Sequence, residues 1–475
     1  MVRIRRETDV LVAGGGTAGI AAAIAAGRTG ARTLLVDRFS FLGGEAMTGL
    51  NLHGFHTNSE EHVVKGIGWE IVERLMAMGL AADMRFSDPC AHDEPLRMVR
   101  DIAIDREAFN YVVFQMLAEA GVELLFHSYA ADVVREGNAI RGVVVENKSG
   151  RTILPARTVV DCTGDGDVAA MAGAPFEKGR RPDGVMQPLS LMFTVGNVDI
   201  EKAVDTIGYR RAEALDPKPG MSRYLHFTLP LDRWSADLQR EFGDVPHFTR
   251  FTGNALRKGI INGTTATHVA KVDATDAEQL TKAEVQGRQV AFRLVAFMRR
   301  HVPGFENAFL LSCAPHIGVR ETRRILGDYY LTYEDVLAGR RFDDVVALGA
   351  FYMDIHDYQG GSLGFKPEKG YFVKDFGSYD IPYRCLLPQQ VEGLLLAGRN
   401  LSASHEAHGS ARVMGTCLAM GHAAGVAAAL AVQSGAAVRA VDVHKVQGTL
   451  LAQGAFLGER FEGLRVPAPL PRQRA

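Results

Sequence analysis

A short apolar run ending in a glycine turn constrains this chain more than any other feature. Residues 9–13 read Asp-Val-Leu-Val-Ala, and Gly14-Gly15-Gly16-Thr17-Ala18-Gly19 follows at once. An Ala-rich stretch then runs to about Thr29, and a second apolar run, Thr33–Val36, ends at Asp37. Strand, glycine turn, helix and strand make a βαβ unit. Gly14, Gly16 and Gly19 fit the GxGxxG spacing, and each has a distinct task. Gly14 permits the tight turn, Gly16 lets backbone approach a pyrophosphate, and Gly19 lets helix pack on strand. Thr17 and Ala18 open the helix, whose bare N–H groups and dipole favour phosphate. Asp37, with Arg38 beside it, stands where a carboxylate accepts the ribose hydroxyls. An acid there argues against a 2′-phosphate, hence against NADP.

Three later segments favour FAD over NAD. Leu42-Gly43-Gly44-Glu45 offers more bare backbone just past the second strand, with Met47 following. Residues 160–167 end a strand in a small-residue turn containing Thr163, Gly164 and Asp167. Near the C-terminus, 394–399 form an apolar run closing on Gly398 and Arg399 and feeding a helix that includes Gly415 and Thr416. An NAD site has no use for a C-terminal return to the first βαβ unit, whereas a flavin reaches far from its adenine. The expected cofactor is non-covalent FAD. The turn at 164–169 resembles a second fingerprint but lacks a βαβ unit ending in an acid, so no separate nicotinamide site is expected.

At 475 residues the chain is long enough for two domains. Lys plus Arg total 53 against 55 Asp plus Glu, a balance without long-range pull toward nucleic acid or anionic lipid. The five cysteines are scattered with no CxxC pair, which suits a reducing cytoplasm and leaves no thiol relay or iron–sulfur cluster. The most apolar stretch, 415–434, is interrupted by Gly421, His422 and Gly425 and reads as a buried helix, so no membrane span is expected. Helices are predicted at 67–78, 106–120 and 277–301. Strand-like runs at 122–127, 130–135, 140–147 and 152–161 predict a four-strand antiparallel meander. The fold class is α/β: a Rossmann-like FAD domain of glutathione-reductase type, with parallel sheet and β-meander, and an inserted α+β substrate domain. Its divisions are 1–190 and 385–445 for the FAD domain, 191–384 for the substrate domain, and 446–475 for a C-terminal helix and tail.

With these residues in place, the chain resembles the FAD-dependent oxidoreductases with a glutathione-reductase-like FAD domain. It is similar to their bacterial branch and, more distantly, to fumarate reductase and succinate dehydrogenase flavoproteins. The likeness rests on the opening fingerprint, DCTGDGDVAAMAGAPFE from 161, RETRRILGDY from 320, DIHDYQGG from 354, IPYRCLLP from 381 and the long run from 394 through Gly425. His408-Gly409-Ser410-Ala411-Arg412 is similar to the family's HGANR segment, whose Arg clamps a substrate carboxylate. The segment from His356 through Tyr358 to Gly361 resembles its histidine-to-double-glycine stretch. The resemblance thus implies Arg412 as clamp, His356 as substrate ligand or acid/base, and Tyr358 as its helper. It also implies that the helix N-terminus at 415–418 points at the flavin and that Met47, Thr48 and His53 approach it. No RGEGG-like segment and no landmark for covalent attachment are found.

Alternatives stand beside these roles. Arg412 also suits an ion pair at a domain seam, and His356 a hydrogen-bonded loop. Arg320, Arg323 and Arg324 share one face if their segment is helical, either solvated or near the cleft. His53 and His56, like His405 and His408, are spaced by three without a completing ligand set, so no metal is expected. Cys162 and Cys417 read as packing. The implied activity is hydride exchange between flavin and a small, carboxylate-bearing substrate, with a separate and unidentified electron donor or acceptor. An O2-using oxidase or monooxygenase is the alternative.

Overall fold

The computed structural model describes residues 2–88, 97–181, 183–208, 210–214, 219–243, 250–263, 267–356 and 370–464. Strands Glu123–Leu125, Thr33–Val36, Thr8–Ala13, Gly150–Asp161 and Leu394–Leu396 lie side by side in that order, all parallel. Residues 10–13, residues 34–36 and Leu394–Leu396 are apolar and buried, as expected of a parallel sheet covered on both faces. Gly150–Asp161 is long enough to serve two sheets. Its second half joins the parallel set, while its first half pairs antiparallel with Ala139–Asn147, which pairs with Ser128–Glu136.

The meander therefore has three strands, and the run at 122–127 does not belong to it. Glu123–Leu125 is instead the parallel edge strand beside Thr33–Val36. Helix Arg106–Glu119 precedes it, supplying the crossover a parallel neighbour needs, and no turn dipeptide separates it from residue 130.

Helix Thr17–Arg28 packs on helix Met414–Ser434, and the contact explains their composition. A Cβ on Gly421 or Gly425 would collide with the carbonyl oxygens of Ala18 or Ala22, so only glycine allows the backbones to approach this closely. Met414–Ser434 is the one helix among the described residues long and apolar enough to cross a membrane, and 89% of that stretch is buried inside the structure.

His422 lies within this helix at 2% exposure, its Nε2 2.9 Å from Gln453 Oε1. Burial pulls its pKa from 6.5 down to about 4, and likewise lowers His62 to about 4 and His56 to about 3. Each is neutral when folded, whereas the unfolded chain protonates below about pH 6.5. The unfolded state then binds more protons, so stability falls as pH drops from about 6.5 toward 4. Thermal melts should show this decline, with a shallower slope in His422→Asn, whose imidazole accounts for about 2–3 kcal/mol by pH ~4.5.

A second sheet is six-stranded and antiparallel, in the order Arg210–Glu213, Tyr224–Pro230, Arg250–Asn254, Ile260–Gly263, Phe193–Gly196, Phe309–Cys313. Helix Ala277–His301, capped by Asp276, covers it through Val290, Leu294 and Phe297, in a core with Phe193, Phe227, Phe251 and Phe305. The segment beyond packs elsewhere. Strand Val345–Gly349 pairs with Tyr379–Pro382, and their buried side chains join the core of the two glycine-contoured helices. The expected 191–384 unit is thus packed in two groups.

Residues 320–324 are not helical. Arg323–Ile325 is a strand paired antiparallel with Phe176–Lys178, so alternation turns Arg323 and Arg324 to opposite faces, while Arg320 lies outside the strand.

Candidate active site

Gly14 leaves the first strand at φ +103°, its N–H donating to Val36 O at 2.8 Å. A Cβ there would meet Cys162 backbone, and one on Gly19 would collide with the Gly14 carbonyl oxygen. Gly16 differs from both. It is the N-cap of helix Thr17–Arg28, in extended backbone without a side-chain cap, and its missing Cβ would point into open space with nothing within 4 Å. The second glycine pair braces this turn, since Gly43 N–H donates to Gly15 O at 2.8 Å and Gly44 lies against Gly16.

The open space is a cleft of about 420 Å³. Bare backbone at Gly14, Gly16, Gly44, Gly164 and Gly398 forms its walls, with Thr17, Ala18, Asp37, Arg38, Glu45, Thr163, Arg399 and Arg412 contributing side chains or edges. A slot of about 60 Å³ continues past Asp37, Arg38 and Thr163 toward Asp167 and Tyr129. Asp37 receives the Gly15 N–H at 2.5 Å and the Phe39 N–H at 2.7 Å, leaving lone pairs for further donors. Burial pushes its carboxyl above the ordinary value despite those bonds. An uncapped helix N-terminus, a bare glycine cradle and an acid at the adjoining edge fit a dinucleotide.

Arg399 binds the cleft's floor to the arginine run, donating to Asp165 at 2.6 Å and to Thr322 Oγ1 at 2.9 Å. Arg323 reaches Asp167 at 2.8 Å. Arg324, 1% exposed, pairs with Glu321 and donates to Ala403 O and Gly179 O. Arg320 turns to Pro188 O at 2.7 Å and Ser190 Oγ at 2.8 Å, without a directly bonded carboxylate among the described residues, and burial together with Arg412 pushes its pKa down to about 10.

A buried polar cluster stands at the far end. Arg412 follows helix His405–Ala411 and precedes helix Met414–Ser434, and this junction aims its guanidinium into the cleft. Its Nη2 donates to Asp354 O at 2.9 Å, to Asp354 Oδ2 at 3.1 Å and, at 3.4 Å, to Gln187 Oε1. His356 Nε2 lies 3.2 Å from Asp354 Oδ1, and its backbone N–H donates to Gln187. Burial works to raise the Asp354 pKa, yet His356, Arg412 and Arg320 hold it well below the usual carboxylate range. Burial, then Arg320, lowers the His356 pKa against the opposing pull of Asp354. Arg412 Nε, Gln187 Nε2 and His356 Nδ1 are buried without a hydrogen-bond partner among the described residues.

Other expected residues sit behind the cleft. Gly19 packs on Gly14; Gly43 and Met47 back against Phe109 and each other. Gly415 N–H donates to His53 O at 2.9 Å, and Thr416 is fully buried. Met414 and Cys417 line the cleft from that helix. Burial raises the Cys162 thiol well above its ordinary value and Cys417 to about 12, leaving both as neutral packing groups. Tyr358 lies outside the described residues. The sequence reading missed Gln187 and Asp354. Asp354 carried a usable signal, two positions before His356 in an extended run, but nothing local marks Gln187.

Residues 9–450 match the family described as FAD dependent oxidoreductase. Protein FixC of Escherichia coli O157:H7 is 27% identical over 168 residues, which is 34% of this chain and 38% of FixC. The match thus spans well under half of that relative. Among solved structures, p-nitrophenol 4-monooxygenase from Pseudomonas putida DLL-E4 aligns over 97% of this chain and 89% of its own, with 13% identity and TM-score 0.47. A geranylgeranyl bacteriochlorophyll reductase-like protein from Thermoplasma acidophilum aligns over 91% and 80%, with 13% identity and TM-score 0.41.

Proposed function

Because the chain belongs to the FAD dependent oxidoreductase family, we propose that it oxidises or reduces a small carboxylate-bearing substrate held by Arg412 at the end of the cleft. FAD, held without a covalent bond, supplies hydride acceptance or donation. The observation carrying this reading is the surplus of buried donors around Asp354. Arg412 Nε and Gln187 Nε2 are donors only, and both lack an acceptor among the described residues. Buried donors left unpaired cost about 1–3 kcal/mol each, and a planar carboxylate presents the paired acceptors that a guanidinium fork matches. Asp354 uses one edge of that fork, leaving Nε for the substrate. His356 meets Asp354 through Nε2, and its Nδ1 is a further buried atom without a partner among the described residues.

The test is anaerobic bleaching of the flavin band near ~450 nm. A panel of 2-hydroxy acids, 2-amino acids and dicarboxylates is compared with their methyl esters. We expect an acid to bleach the holoenzyme and its ester not to. Bleaching by esters as fast as by acids overturns the anionic-substrate reading.

A further inference from the structure

Leu52 and Ile102 exchange backbone hydrogen bonds, Leu52 N–H to Ile102 O at 2.9 Å and Ile102 N–H to Leu52 O at 3.0 Å. In an antiparallel pair the next residues, 53 and 101, then face each other. His53 Nδ1 accordingly lies 2.7 Å from Asp101 Oδ2. Asp101 is 1% exposed, whereas the His53 side chain keeps 22% exposure. The His53 carbonyl takes the Gly415 N–H, which ties this residue to the helix that follows Arg412. Its ring stands 5.5 Å from that of Phe351, three residues before Asp354.

We propose that His53 is the proton-transfer residue of this enzyme and that Asp101 positions it, with His53 Nε2 facing the substrate that Arg412 holds. The proposal rests on the anionic-substrate reading above. In the oxidising direction bound FAD would accept the substrate's C–H electron pair as hydride, and the substrate's heteroatom gives a proton to neutral His53 Nε2. A carbon–heteroatom double bond is left, and in the reducing direction both return. The Asp101 carboxylate, 2.7 Å from Nδ1, favours the tautomer protonated there, so Nε2 on the opposite ring edge is the free base, and it stabilises the imidazolium that forms.

His356 suits this task less well. Its Nε2 is engaged by Asp354, its side chain is only 9% exposed, and burial with Arg320 disfavours its charged form. The groups acting on His53 are Asp101 from strand Arg97–Ile104, Asp354 from the 350–356 segment and Arg412 from the helix junction. Burial works to lower its pKa, but the two carboxylates outweigh burial and Arg412, so His53 titrates above the ordinary histidine value.

The experiment uses FAD-loaded protein with 13C-labelled histidine, as wild type, His53→Gln and Asp101→Asn. In NMR titration, one histidine should titrate above free histidine, vanish in His53→Gln and move down in Asp101→Asn. In stopped-flow reduction by the acid that bleaches wild type, His53→Gln should slow bleaching about 10²–10⁴-fold with FAD and acid affinity retained. Asp101→Asn should slow it less and shift the pH limb downward. Bleaching of His53→Gln within about threefold of wild type overturns the proposal, as does a His53 resonance unmoved by Asp101→Asn. If no acid bleaches wild type, it is the substrate reading that fails, and a His53 titrating at or below free histidine then sinks this proposal separately. Should Asp101→Asn lose FAD, His53→Gln alone decides.

Discussion

Gly16→Val should fold with the melting temperature of wild-type apoprotein and come off the column colourless, whereas Gly19→Ala should fail to accumulate as folded protein. Both residues belong to one fingerprint, but the structure separates their tasks. Gly16 has φ −69° and ψ −177°, a conformation open to any residue, and a Cβ there meets nothing within 4 Å. A valine therefore fits the protein and occupies the cleft, where the pyrophosphate has to lie against the helix N-terminus. We expect FAD affinity to fall by about 10³-fold or more, read by absorbance after dialysis against FAD. At Gly19 the added carbon would strike the Gly14 carbonyl oxygen. That oxygen is backbone and cannot swing away, so helix and strand must separate, at a cost of at least about 1–3 kcal/mol. Circular dichroism and expression yield distinguish the two. A yellow, saturable Gly16→Val would overturn the cofactor assignment.

The opening βαβ unit was legible because its constraints are local. Glycine spacing, an apolar run on each side and Asp37 all lie within one short segment, and backbone geometry alone dictates them. The 277–301 helix was legible for the same reason, with an Asp276 cap and a basic last turn at Arg299–His301 marking its ends. What failed to show was partner choice. Residues 122–127 read correctly as extended, yet whether they pair with 33–36 or with 130–135 depends on a crossover that no period-two pattern encodes. The arginine run failed differently. Charges at 320, 323 and 324 suit one helical face, but pairing of Arg323–Ile325 with Phe176–Lys178 imposes a period of two and turns Arg323 and Arg324 to opposite faces. Gln187 and Asp101 were invisible because their significance is wholly tertiary.

Arg412→Ala should keep FAD and lose substrate. The guanidinium is 12% exposed and contacts Asp354, so truncation removes one side of a buried charged pair, which costs about 2–5 kcal/mol. We expect kcat/KM to fall about 30- to 10³-fold or more on the acid that bleaches wild type, while the bound-flavin spectrum stays near that of wild type. Arg412→Lys should recover little, since a point charge cannot reach Asp354 and a substrate carboxylate together as a planar fork does. The clamp role fails if Arg412→Ala turns over normally.

The shared strand has a consequence for how the molecule is made. Gly150–Asp161 receives Thr8–Ala13 on one side and Leu394–Leu396 on the other, and helix Thr17–Arg28 docks on Met414–Ser434. A ribosome adding about 5–20 residues per second needs roughly 20–80 s to travel from the first of these partners to the last. Throughout that interval the nascent chain carries an unpaired apolar sheet edge and an uncovered alanine-rich helix. The first βαβ unit is therefore synthesised long before residues 394–434 can close on it, and a dinucleotide held between them can bind only after those residues are made. Until then the exposed edge is a liability that a holdase chaperone is suited to cover.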